Sequence, residues 1–192
     1  MKKFALLLTL AITSVTACAQ SDQTITAVFS GMKFQVPSAP VIIGALGQSN
    51  DILLIKYSND PGKRYISFSA EDSLDTGGCE VGAFFEAVLE KSSEGECEKS
   101  AVESFQSVFV EGTGLGVWEG EDRNYYYFLS DSERSFVFFS SQAGHLVKLE
   151  SDFLEARDFR ALLGDAPPIR EPKSTKTESE PKSRAEELTL KE

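Results

Sequence analysis

Two stretches decide the fold of this chain: Asn124-Tyr125-Tyr126-Tyr127-Phe128-Leu129 and Ser135-Phe136-Val137-Phe138-Phe139, separated by the polar Ser130-Asp131-Ser132-Glu133. Aromatic and β-branched residues of this kind fit a pleated, packed surface. Neither run alternates apolar with polar, as a half-exposed strand would. Both are apolar at successive positions, the pattern of strands buried on both faces. They predict a pair of central strands with material packed above and below.

Working outward from this pair, His145–Glu150 adds a further strand after the Ala143-Gly144 turn. Asp152 then reads as an N-cap with Glu155 three residues on as its capping-box partner. Leu154, Phe159, Leu162 and Leu163 supply the apolar contacts of the helix that follows. Gly164 stands where a C′ glycine would, and Pro167-Pro168 prevents continuation.

Upstream, Thr24–Phe29 and Lys33–Val36 read as short strands around Ser30-Gly31, and Pro37 and Pro40 end the second. Val41–Gln48 is apolar but broken by Gly44 and Gly47, and its periodicity assigns it to no element. Ile52–Tyr57 and Tyr65–Phe68 flank Asn59-Asp60-Pro61-Gly62, which predicts a β-hairpin. From Glu80 the period changes: Val81, Phe84, Phe85, Val88 and Leu89 recur at helical spacing, with Glu86 and Glu90 on the other side. That stripe is the packed face of a helix. Beyond Cys97 a short helix is expected, then a strand over Ser107–Glu111. Gly112-Thr113-Gly114-Leu115-Gly116 lacks the dinucleotide spacing, and strand-like Val117-Trp118 follows where a helix is needed. It reads as a glycine-rich turn.

The order of elements predicts an α+β domain, an antiparallel sheet of about six to eight strands with two main helices packed on it. One domain, 24–164, holds all of it. From Asp165 onward Pro, Lys, Glu, Ser and Thr dominate, too polar to offset ordering entropy, so 165–192 is expected to be a disordered charged tail.

At the other end, Lys2 and Lys3 precede the apolar run Phe4–Ile12 and small residues up to Ala17, the order of an export signal over 1–17. The run is shorter than the roughly 20 residues that span a bilayer. Val15-Thr16-Ala17-Cys18 resembles the lipobox of bacterial lipoproteins, with Val where Leu is commoner. The resemblance implies that Cys18 is acylated and becomes the first mature residue, with 18–23 as a short linker to the domain. Ala19, rather than Asp, after the anchor implies the periplasmic face of the outer membrane. The same letters allow a second outcome, since Ala17-Cys18-Ala19 is also an A-x-A pattern. Cleavage before Gln20 would give a soluble periplasmic or secreted chain without the cysteine. The element order and Met32-Lys33-Phe34-Gln35-Val36-Pro37 also resemble the PsbP-like fold, a likeness that implies an architecture and no function.

Loss of Lys2 and Lys3 takes the net charge from -11 to about -13. Nucleic acids are held through phosphates by Lys and Arg, so a domain this acidic is unsuited to them. Basic proteins, cations and neutral ligands remain as partners.

With Cys18 assigned to lipid or lost with the leader, Cys79 and Cys97 remain, and an even remainder in an exported protein predicts a disulfide. A helix from Cys79 to Lys91 rises about 18 Å, and six extended residues return about 20 Å. Closure therefore requires the helix to stop near Lys91.

His145 is the only histidine, and no G-x-S-x-G elbow accompanies it. One histidine and a disulfide-bonded pair serve zinc poorly. Glu119-Gly120-Glu121-Asp122 lacks the EF-hand spacing for calcium. No cofactor, metal or catalytic set is expected. Glu119, Glu121 and Asp122 are the candidate partner-binding acidic loop. Two functions follow: a non-catalytic envelope lipoprotein acting as a protein-binding or assembly module, of inhibitor or immunity type toward a basic partner, or an envelope hydrolase using paired carboxylates from such acid-rich segments as Glu94, Glu96 and Glu98.

Overall fold

The computed structural model describes residues 23–47, 51–90 and 97–164. Residues 1–22, with Cys18 and the expected export signal, and residues 165–192, the expected tail, lie outside the described residues.

The elements run β1 (Thr24–Phe29), β2 (Met32–Pro37), β3 (Ile42–Leu46), β4 (Ile52–Lys56), β5 (Tyr65–Ala70), α1 (Val81–Glu90), α2 (Lys99–Phe109), β6 (Gly114–Glu119), β7 (Asn124–Leu129), β8 (Ser135–Ser140), β9 (Leu146–Ser151) and α3 (Ala156–Leu163). Seven strands form one antiparallel sheet in the order β3-β4-β5-β9-β8-β7-β6, and β1-β2 form a separate hairpin. The class is α+β, as expected. The two-strand piece is a cover for the sheet rather than part of it.

The apolar runs of β7 and β8 are explained by what lies on each side. Side chains alternate along a strand, so Tyr125, Val137 and Phe139 enter one core and Tyr126, Phe128, Phe136 and Phe138 the other. The first core is closed by β2 and α3, through Phe34, Val36, Phe159, Leu162 and Leu163. The second is closed by α1 and α2, through Phe84, Phe85, Val88, Val102 and Phe105. Phe85 stacks on Tyr126 at 4.6 Å between ring centroids, and Phe105 meets Phe128 and Phe138 edge-on at 5.4 and 5.3 Å. Such offset and edge-to-face pairs are the favoured aromatic geometries.

Three local readings change. Ser107–Phe109 continues α2 instead of starting a strand, because Ala101, Val102 and Phe105 are buried and Phe109 stacks on Phe105 at 4.5 Å. These positions are helical neighbours, so tertiary burial of one face overrides the local β preference of Ser107–Glu111. Among the described residues α2, with 11 residues, is the longest helix and joins α1 and α3 as a third. The glycine-rich segment is only partly a turn, since β6 begins at Gly114. Gly116 is needed within that strand, because a Cβ there would enter the ring of Tyr127. Finally, α3 starts three residues later than expected. Glu155 is its N-cap, and its backbone N–H donates to Asp158 Oδ2 at 3.1 Å. Asp152 instead accepts from the backbone N–H groups of Arg64 and Tyr65, each at 2.9 Å, tying the β4–β5 loop to the end of β9.

Cys79 and Cys97 are disulfide-bonded, with Cα atoms 5.1 Å apart. α1 ends at Glu90, as closure required. The approach is made by Gly77 and Gly78, both at positive φ. The carbonyl of Gly77 accepts from Glu98 N–H at 3.0 Å, and Thr76 Oγ1 donates to the carbonyl of Cys79 at 2.8 Å.

Candidate protein-binding surface

Antiparallel pairing sorts the loops onto two ends of the sheet. β4 finishes at the end where β5 begins, β9 finishes, β7 finishes and β6 begins. The described chain also starts there: Ser38 N–H donates to the carbonyl of Gln23 at 2.9 Å, and Tyr57 Oη donates to the carbonyl of Pro37 at 2.8 Å. Glu119, Glu121 and Asp122 lie at the opposite end, around the β6–β7 turn, and all three are exposed.

That turn is held rigidly. Gly120 N–H donates to the carbonyl of Arg123 at 2.9 Å. A Cβ on Gly120 would lie 2.6 Å from that carbonyl and 2.8 Å from the ring of Tyr125, so no larger residue fits. Arg123 turns inward. Its Nη1 donates to the carbonyl of Ser140 at 2.9 Å and sits 3.2 Å from Met32 Sδ, joining the tip of the β1–β2 hairpin to β8. The acids of the turn are therefore left facing solvent while its cation is used for structure.

Asp51, Glu71, Asp72 and Asp75 lie on other loops at this end. Glu71 pairs with Lys148 at 2.6 Å. Asp72 pairs with His145 Nδ1 at 2.8 Å, each half-exposed. The lone histidine thus belongs to a surface pair. The Glu119, Glu121 and Asp122 side chains enter none of the described ion pairs.

Chemistry on paired carboxylates requires two acids converging within about 5–10 Å across a cleft. Each of three open hollows in the surface is lined by a single acid: Asp75 beside α2, Asp131 at the β6–β7 edge and Asp158 between α3 and β2. The last is the largest, about 600 Å³. Among the described residues no three His, Cys, Asp or Glu side chains gather as a metal site. Glu94 and Glu96 lie outside the described residues, and Glu98 is exposed beside α2.

No family model, curated protein or solved structure matches this chain.

On the sheet face opposite α3, the half not covered by α1 and α2 carries a polar network. Tyr65 Oη donates to Glu150 Oε1 in a short hydrogen bond, and Arg134 Nη1 reaches the same oxygen at 3.3 Å. Burial, and then the Glu150 carboxylate, hold the Tyr65 phenol well above its ordinary range. The Glu150 charge likewise raises the pKa of Arg134. The network binds β5 to β8 and β9.

A second surface escaped the sequence reading. The segment 41–48, unassigned by periodicity, contains β3, an edge strand with one side unpaired among the described residues. Ile42, Ile43 and Leu46 are 49%, 57% and 48% exposed. Edge strands ordinarily carry charge, Pro or a covering element that blocks further pairing. Among the described residues β3 carries none of these. The signal available in the sequence was charge, since residues 38–50 contain no Asp, Glu, Lys or Arg.

Proposed function

We propose that this chain is a non-catalytic lipoprotein of the bacterial cell envelope, held through Cys18 on the periplasmic face of the outer membrane, that binds another protein. The observation that carries the reading is the exposed group Glu119, Glu121 and Asp122 on a turn whose one cation, the half-buried Arg123, is engaged in structural contacts. A rigid, uncompensated acidic tip suits a basic partner surface, because complementary charge speeds encounter and excludes wrong partners. The tip stands at the end of the sheet away from Gln23, so a tether at the chain start leaves it unobstructed. An inhibitor or immunity role, in which acidic loops mask a basic cleft, is the form of binding this tip serves best. The hydrolase reading gains nothing from the hollows, each with one acid.

The test is affinity capture from an envelope extract with the wild-type chain and with Glu119→Gln/Glu121→Gln/Asp122→Asn. A basic protein retained at low salt, released at high salt and missed by the triple variant is the expected result. Capture that is insensitive to both would refute the acidic tip as the binding surface. Intact mass of the membrane-extracted chain tests the anchor: an acylated Cys18 at the N-terminus is expected, and a soluble chain beginning at Gln20 would refute it.

A further inference from the structure

We propose that the edge of β3, which no described strand pairs, is a self-association surface, on which a second copy of this chain pairs antiparallel about a two-fold axis at Gly44. This deepens the reading of the chain as a binding module by naming an occupant for a second surface.

The register follows from the backbone. Ala70 N–H donates to the carbonyl of Asp51, so the odd-numbered residues of this part of β4, Leu53 and Ile55, direct their backbone groups toward β5. Alternation in antiparallel pairs then turns Ile52, Leu54 and Lys56 toward β3. Their partners Leu46, Gly44 and Ile42 point back at β4. Ile43 and Ala45 are left with N–H and C=O groups directed out of the sheet. In two copies related by a two-fold axis, Ile43 of each faces Ala45 of the other, and both pairs exchange N–H and C=O bonds. Gly44 faces its own mate at the axis, and open space surrounds the place a Cβ would occupy.

Side chains agree with this register on both faces. Pairing residues share a face, so Ile42 of one copy meets Leu46 of the other on one side, and Ile43 meets Ala45 on the other. The half-buried Ile52 and Leu54 of β4 extend the apolar surface beside Leu46. Charge selects this edge for a second copy. Over most of its surface a chain of net charge -11 repels its like, yet residues 38–50 carry no charge. β6, at the other edge, ends at Glu119 and leads into Glu121 and Asp122, so two copies meeting there would bring acids together.

Area sets the strength. Val41, Ile42, Ile43 and Leu46 are each about half exposed. Covering them with the strand backbone removes on the order of 1,000 Å² over both copies, the lower limit of specific interfaces. The association is therefore reversible and weak.

Sedimentation of the exported chain carrying Cys18→Ser reads this out. A monomer–dimer equilibrium in the micromolar range is expected, weakened at least tenfold by Ile43→Lys with circular dichroism unchanged. Gly44→Cys places two thiols at a non-hydrogen-bonded pair, close enough for a disulfide. It should give covalent dimers under mild oxidation, while Val28→Cys, exposed on β1, should not. A chain monomeric up to millimolar concentration, dimers that survive Ile43→Lys, or Gly44→Cys cross-linking no better than the Val28→Cys control would each overturn the proposal. The two readings fail separately. Loss of dimers with salt-sensitive capture intact sinks only self-association, whereas dimers without capture sink only the acidic tip. If a monomeric chain captures an unrelated protein and Ile43→Lys abolishes that capture, the edge accepts another strand in place of its own copy, which also refutes the proposal.

Discussion

Removing the disulfide by Cys79→Ala/Cys97→Ala should cost about 3 kcal/mol of folding stability. The magnitude comes from the denatured chain. The two cysteines are separated by 18 residues, and closing a loop of that size removes roughly 11 cal/mol/K of chain entropy, about 3 kcal/mol at 25 °C. The native state should change little, because α1 and α2 are held together independently of the bond. Phe105 meets Phe84 and Phe85 at 5.5 Å between ring centroids, and Gln106 Nε2 donates to the carbonyl of Val88 at 3.1 Å. Urea denaturation followed by circular dichroism measures the loss, with a melting temperature lower by about 10 °C for a domain of this size. Reduction of the wild-type protein should reproduce the same shift. A loss below about 1 kcal/mol would refute the entropic reasoning. A loss above about 5 kcal/mol would mean that the bond holds native packing that the aromatic contacts do not.

Four further outcomes are expected. Phe105→Ala should cost about 3–5 kcal/mol, since a ring meeting five others becomes a cavity, while Val108→Ala on the exposed side of α2 should stay within about 0.5 kcal/mol; paired denaturation curves check both. Asp152→Ala should cost about 2 kcal/mol through two lost charge-assisted bonds and raise hydrogen exchange at Arg64 and Tyr65. Asp158→Ala should cost about 1 kcal/mol and free only the start of α3. Gly77→Ala should cost about 2 kcal/mol or more: its φ is +62°, and a Cβ would lie 2.7 Å from Glu98 N, adding overlap to the left-handed penalty; thermal melting compares it with Gly78→Ala, where φ is +79° but space is open. Burial pushes the Tyr57 phenol up to about 12, and burial with Glu150 raises Tyr65 further. The folded state therefore favours the neutral phenols. Their contribution is complete below the unfolded tyrosine pKa of about 10 and is lost as pH rises from there toward the folded values. Melting temperatures between pH 8 and pH 11.5 should fall above about pH 10, less steeply in Tyr57→Phe/Tyr65→Phe.

The sequence by itself determined the elements whose signals are local. The aromatic runs of β7 and β8 required cover on both faces, and the sheet has it. The β1–β2 and β4–β5 turns were legible because Gly31 and Gly62 reach positive φ at no steric cost and Pro61 pre-sets φ beside the turn-prone Ser30 and Asp60. The helical stripe of α1 followed from spacing, and the pairing of Cys79 with Cys97 from the even remainder of cysteines once Cys18 is set apart, with reach asking the helix to stop near Lys91. Gly164 at positive φ ended α3 as its position indicated. The acidic residues Glu119, Glu121 and Asp122 were also visible as a group. What the sequence could not supply was their isolation, which depends on Arg123 reaching across to Ser140 and Met32.

Only the tertiary structure decided the remainder, because each case turns on a partner distant in sequence. Asp152 has the spacing of a capping box with Glu155, yet two backbone N–H groups nearly ninety residues away compete for its carboxylate and hold it. Ser107–Glu111 has strand-like composition, but burial of Phe105 against β7 and β8, with the half-buried Phe109 packed beside it on β8, makes most of it helix. β3 is too short and glycine-broken to show a period. Its identity comes from hydrogen bonding to β4, and its exposure from having no described strand on the other side. Whether a strand is central or at an edge is a property of sheet order, which no stretch of sequence contains alone.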